Sequence, residues 1–128
     1  MPLLDTCALL WLGWQRDKLS KAALAAIESA EGNLATCAIS AFEIGIKVAQ
    51  GKLSLPYPPD EWYAQALSVH TIREIPLDGH CALLAAALPP IHRDPCDRFI
   101  IAAAQIHEMP ILTPDPVIAR YPGVRIVW

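Results

Sequence analysis

Asp5, Glu43, Asp97 and Asp115 each stand where an apolar run gives way to a turn or a helix start. Acids in such places cost stability unless something offsets their charge. In a sheet of parallel strands, the carboxyl ends of the strands and the helix starts that follow them share one edge, which is where α/β folds bind ligands. Acids converging there would repel one another and raise each other's pKa unless a cation compensated. A hard divalent ion resolves that conflict, and Mg2+ or Mn2+ suits carboxylates and waters better than zinc does. The chemistry available to such a site is hydrolysis of a phosphodiester by a metal-activated water, with no covalent nucleophile drawn from the protein.

Each acid also has a competing local explanation. Asp5 follows Leu3-Leu4 and can act as a turn or cap residue satisfied by nearby backbone N–H groups. Ser40-Ala-Phe-Glu43 reads as a capping box, with Glu43 reaching back to the helix start. Asp94 reads as an N-cap with Pro95 behind it, which sets Asp97 at the third helical position, where the helix dipole favours a carboxylate. Asp115, between Pro114 and Pro116, is ordinary turn chemistry. Thr6, Ser40 and Thr113 lie beside acids and can hold carboxylates or orient waters; their alternative is capping and turn hydrogen bonding. Lys47, Lys52, Arg93 and Arg98 are near the acids in sequence and can touch phosphates, or be solvated helix-face charges.

The elements that would position these residues alternate between strand and helix. Leu3-Leu4 is a short buried strand, and Ala8 to Trp14 a short helix or turn. Ser20 caps a helix through Ala30 that Gly32 closes, and Leu34 to Ile39 is a second strand. Ser40 opens a helix to about Gln50, stopped by Gly51. A proline-rich loop from Leu53 to Pro59 precedes a helix capped by Asp60 and running through about Val69. Thr71 to Pro76 is a weaker strand, and Asp78 caps an alanine- and leucine-rich helix. After a second proline-broken loop, Leu88 to Pro95, the strongest helix runs from Pro95 to His107. Pro110 to Thr113 and Val124 to Trp128 are the last strands. This alternation predicts a mostly parallel sheet with right-handed crossovers.

The 128 residues suit one domain with a single core. A hydrophobic content of 54% against 18% charged excludes disorder and predicts strands buried on both faces, hence a sheet covered by helices. No apolar stretch approaches the roughly 18 residues that span a bilayer. Met1-Pro-Leu-Leu-Asp5 lacks a basic start of the signal-peptide type, so a cytosolic chain is expected. Cys7, Cys37, Cys81 and Cys96 have no C-x-x-C spacing and read as reduced, mostly buried small residues. His70, His80, His92 and His107 form no ligand motif and read as surface or satisfied histidines. The net charge of −3 argues against gripping long nucleic acid through a broad basic surface, though not against local contacts.

With these residues in place, the chain resembles PIN-domain proteins, and specifically the VapC-type toxins of bacterial type II toxin–antitoxin pairs, over essentially its full length. The resemblance rests on Leu3-Leu-Asp-Thr-Cys-Ala-Leu-Leu-Trp11, on Ser40-Ala-Phe-Glu-Ile-Gly-Ile-Lys47 with Gly51-Lys-Leu-Ser-Leu-Pro56, on His92-Arg-Asp-Pro-Cys-Asp-Arg-Phe-Ile-Ile-Ala102, and on Leu112-Thr-Pro-Asp115 with Arg120-Tyr-Pro-Gly-Val124. It implies a single PIN domain over residues 1–128, a three-layer α/β/α fold with a central, mostly parallel sheet of about five strands. It implies a Mg2+- or Mn2+-dependent endoribonuclease that forms a homodimer and is neutralised by a cognate antitoxin. Asp5, Glu43 and Asp97 match the family's core metal-binding acids, Asp115 the more variable fourth, and Asp94 an acid common in this subgroup. Cys7, Cys96 and Pro114 depart from the usual pattern. None of the acids is lost.

A reading from another class is a non-catalytic binding module, whose acids only cap helices and whose Trp11, Trp14 and Trp62 serve a partner. Metal binding separates the two. A haloacid-dehalogenase-like phosphatase would need a second Asp where Cys7 stands, and a receiver-like domain would need adjacent acids near the first strand.

Overall fold

A computed structural model describes all residues, Met1–Trp128. The strands are β1 (Leu3–Leu4), β2 (Leu34–Cys37), β3 (Ile72–Ile75), β4 (Ile111–Leu112) and β5 (Ile126–Val127). The helices are α1 (Thr6–Trp14), α2 (Lys21–Ser29), α3 (Ile39–Ala49), α4 (Pro59–His70), α5 (Gly79–Ala87) and α6 (Pro95–His107), with short 3₁₀ turns at Arg16–Lys18 and Ile118–Arg120. All five strands pair in parallel, in the order β3-β2-β1-β4-β5.

Strand alternation divides the core into two layers. Leu3, Ala35, Cys37, Ile75 and Ile111 face α5 and α6, burying Cys81, Ala85, Leu88 and the run Ile100 to Ala104. Leu4, Leu34, Ile72 and Leu112 face the other way and pack with Leu9 and Leu12 of α1, Ile44 of α3, and Trp62 and Ala66 of α4. Gly13 is what lets Trp62 settle on α1, since a Cβ there would lie 2.7 Å from Trp62 Cζ2. The three-layer α/β/α expectation is met.

The predicted caps on α2, α5 and α6 form. Ser20 accepts the N–H of Ala23 at 3.1 Å, Asp78 that of Cys81 at 2.9 Å, and Asp94 that of Cys96 at 2.9 Å. Gly32 and Gly51 take positive φ after α2 and α3, as stop residues should. Two caps differ from expectation. α4 starts two residues early, with Pro58 at the N-cap and Pro59 at N1, so Asp60 lies in the first turn. The Ser40–Glu43 capping box does not form, because α3 begins at Ile39 with Ala38 at its N-cap and Ser40 is already helical.

The strand order decides where a ligand can bind. From β1 the chain builds outward through β2 and β3, then returns across the sheet by α5 and α6 to lay β4 on the other side of β1. The crossover direction therefore reverses between β1 and β4, and the crevice at their carboxyl ends is the switch point of the sheet.

A candidate metal centre at the carboxyl edge of the sheet

Asp5 leaves β1 at the switch point and is 4% exposed. Its Oδ1 accepts the N–H of Ala8 at 2.8 Å, so the helix-cap explanation is correct as far as it goes. Its Oδ2 accepts a hydrogen bond from Thr113 Oγ1, across the sheet at the end of β4. Burial, with added repulsion from Glu43 and Asp115, pushes the Asp5 carboxyl up to about 6 despite the hydrogen bonds from Thr113 and Ala8, which act the other way.

Glu43 sits in the second turn of α3 and caps nothing. Its Oε2 pairs with Lys47 Nζ at 2.9 Å, one helical turn on, while its Oε1 is buried with no hydrogen-bond partner. Ser40, freed from the expected capping box, is fully buried and shares a 2.9 Å hydrogen bond with the buried Thr6 at the start of α1. That bond fixes the α1 start, which carries Asp5, against the α3 turn that carries Glu43.

Asp97 stands in the first turn of α6, as the helix pattern predicts. Burial first, then the charges of Asp94, Glu43 and Asp5, pushes it up to about 7, with His92 opposing. Asp115 lies just past β4 and makes the expected turn, its Oδ1 accepting the N–H of Val117 at 2.9 Å. The structure thus brings Asp5, Glu43, Asp97 and Asp115 close enough for their charges to act on one another.

One residue at this site was missed in the sequence. His92 Nε2 lies 2.8 Å from Asp115 Oδ2 and 3.1 Å from Asp97 Oδ2. His92, Asp97 and Asp115 bring potential ligand atoms within 4.8 Å of one another. The one signal for His92 was its place in the His92-Arg-Asp-Pro-Cys-Asp97 run.

The basic residues divide. Lys47 neutralises Glu43 and Arg93 is exposed. Arg98 does not point to the acids: its guanidinium donates to the carbonyls of Ala85 at 2.8 Å, Leu88 at 2.8 Å and Pro89 at 3.0 Å, closing the carboxyl end of α5. Its expected phosphate contact gives way to this structural role. The cysteines are free, and burial pushes the thiols of Cys7 and Cys96 up to about 11, as do the acids around them, so neither is an activated nucleophile. Trp62 is buried in the core and Trp11 tilts against Trp128 with ring centroids 5.6 Å apart, which leaves only Trp14 exposed among the tryptophans proposed for a partner surface.

The donor set fits a hard divalent ion. Its acids offer only oxygen, it holds the unsatisfied Glu43 Oε1, and burial together with neighbouring acids raises two of its carboxyls well above their ordinary range. A pH dependence follows, with Asp5 and Asp97 ordinary acids in the unfolded chain and raised in the folded one. Well below pH 4 both are protonated in either state; between about pH 4 and 6 to 7 the unfolded chain has released protons that the folded chain still holds, so metal-free stability falls across that window and levels off above it. Thermal melts in EDTA should show Tm dropping from pH 5 to pH 8, and Mn2+ should reverse most of the drop as it replaces the protons. Identical pH profiles with and without Mn2+ would contradict this account.

Comparison with known proteins identifies the family. The PIN domain family model matches residues 3–124. Ribonuclease VapC22 of Mycobacterium tuberculosis is 36% identical, with 98% of this chain and 97% of that protein covered. The structure of VapBC2 from Rickettsia felis, bound to a DNA fragment from its promoter, superposes with a TM-score of 0.70 at 13% identity, covering 97% of this chain and 95% of that one. FitAcB from Neisseria gonorrhoeae gives a TM-score of 0.67 at 22% identity, covering 98% and 96%. A family model over nearly the whole length, a close full-length relative and a shared architecture place this chain in the PIN-domain family, in its VapC branch.

Proposed function

We propose that this chain is a Mg2+- or Mn2+-dependent endoribonuclease, the toxin of a toxin–antitoxin pair, built as a single PIN domain over residues 1–128. The observation that carries the proposal is the gathering of Asp5, Glu43, Asp97 and Asp115 at the sheet's switch point, where burial first and then mutual repulsion push the Asp5 carboxyl up to about 6 and that of Asp97 up to about 7. In this reading Asp5, Glu43 and Asp97 hold the ion and Asp115 completes the cluster. When bound, the ion supplies Lewis-acid stabilisation to the phosphodiester and an activated water as nucleophile. Thr113 and the Ala8 N–H orient the Asp5 carboxylate, and Lys47 holds Glu43 in one rotamer. Lys47 and Arg93 are the cations at the rim that can meet RNA phosphates.

The VapC22 relative supports an RNA substrate, and the toxin–antitoxin complexes among the structural neighbours support an antitoxin partner. A homodimer and a cytosolic location belong to the same proposal; no helix is long and apolar enough to cross a membrane. The capping-only alternative loses support at Glu43, which caps no helix.

Purified chain incubated with a mixed cellular RNA pool should cleave it with Mg2+ or Mn2+, and not in EDTA. The Asp5→Asn/Asp97→Asn double variant, folded by circular dichroism, should be inactive. Cleavage that survives both EDTA and the double variant would remove the proposed site from the reaction.

A further inference from the structure

We infer that Asp115 serves the metal-binding acids through His92, whose ring docks it against Asp97, and is not itself a ligand of the ion. This rests on the metal-site reading above. The three ligand-type atoms of His92, Asp97 and Asp115 lie together, yet the hydrogen bonds around the imidazole assign it another part. Its Nδ1 accepts the backbone N–H of Asp94 at 3.1 Å, so the lone pair on Nδ1 is in use and the ring proton sits on Nε2. That Nε2–H is shared by Asp115 Oδ2 and Asp97 Oδ2. To ligate an ion through Nε2, the ring would have to move its proton to Nδ1, directly against the Asp94 N–H. His92 is therefore a donor between two carboxylates.

The surroundings hold it in that part. The His92 backbone N–H donates to Tyr121 Oη at 2.7 Å, and Tyr121 Oη donates to the carbonyl of Pro89 at 2.9 Å, which pins the loop ahead of α6. Asp115 is committed at both oxygens, to Val117 N–H and to His92. Its own N–H donates at 3.1 Å to Thr113 Oγ1, the hydroxyl that donates to Asp5. Asp97 is bound to His92 through one oxygen, which fixes the rotation of the carboxylate and leaves the other oxygen for the ion. Hydrogen-bonded partners behind a ligating carboxylate tune its affinity in this way.

The test is calorimetric titration of Mn2+ into the full chain. Asp97→Asn should abolish binding. His92→Ala and Asp115→Ala should each weaken it by about 10-fold, and the double variant should be no weaker than either alone, because the two residues act as one unit. Asp115→Asn keeps an oxygen for Nε2–H but turns its amide NH2 toward the Val117 N–H, so its affinity should fall between wild type and Asp115→Ala. Losses that multiply in the double variant would overturn this inference alone. A wild-type chain that binds no Mn2+ would overturn the metal-site reading and this inference with it. Nitrogen-15 spectra of the metal-free chain should show the His92 ring protonated at Nε2; a ring protonated at Nδ1 would refute the docking.

Discussion

Asp97→Asn should lower metal-dependent RNA cleavage by about 10³-fold or more, since losing several kcal/mol of Lewis-acid stabilisation has that effect on rate. The same variant should melt higher than the wild type in EDTA at pH 8. Both results have one cause. In the metal-free chain Asp97 is pushed up to about 7 by burial and by Asp94, Glu43 and Asp5, so its ionisation at pH 8 opposes folding. Asparagine removes that charge and keeps an oxygen for His92. The gain should be about 1–2 kcal/mol after allowing for the side chain's partial exposure and the lost helix-dipole contact, a Tm rise of about 5 °C. With saturating Mn2+ the order should reverse, because only the wild type gains from the ion. An Asp97→Asn protein that melts lower than wild type in EDTA would show that Asp97 is a structural acid, and one that still cleaves RNA would show that it is not at the reaction.

Arg98 carries the second large effect. Its guanidinium meets the carbonyls of Ala85, Leu88 and Pro89 at 2.8–3.0 Å, with longer contacts to Ala86, His92 and Tyr121. These groups end α5 and form the loop that presents His92, so one side chain joins the outer helix layer to the site. Arg98→Ala should cost about 3 kcal/mol, since charge-assisted bonds are lost and carbonyls are left without donors. Arg98→Lys should recover less than half of that, because a single ammonium cannot span carbonyls that a planar fork reaches together. Urea denaturation of both variants measures this directly. A loss below about 1 kcal/mol for Arg98→Ala would mean that water replaces the guanidinium at little cost.

Much of this molecule was legible along the chain because the physics was local. Ser20, Asp78 and Asp94 cap helices through N–H groups within three residues, and Gly32 and Gly51 stop them through their own φ, so short windows of sequence contain the whole interaction. The paired apolar residues Leu3-Leu4 and Ile111-Leu112 announced strands buried on both faces. The acids could be picked out because their positions after strands and at helix starts imply one edge of a parallel sheet.

What the chain could not announce were partners set by the strand order. Ser40 looked like a cap, yet α3 starts one residue before it, which leaves the box with Glu43 unformed, and its hydroxyl goes to Thr6, 34 residues away. Arg98 read as either a phosphate contact or a solvated helix-face charge, and it is neither, because α5 lies against α6 with its carbonyls turned toward the guanidinium. His92 read as a surface or satisfied histidine, and it is a satisfied one; it meets Asp115, 23 residues on, only because β4 returns beside β1. By itself, then, the sequence determined the elements, the caps of α2, α5 and α6, and the acids. Tertiary structure alone decided which of them face each other, since parallel pairing with crossovers brings together residues that no local window relates.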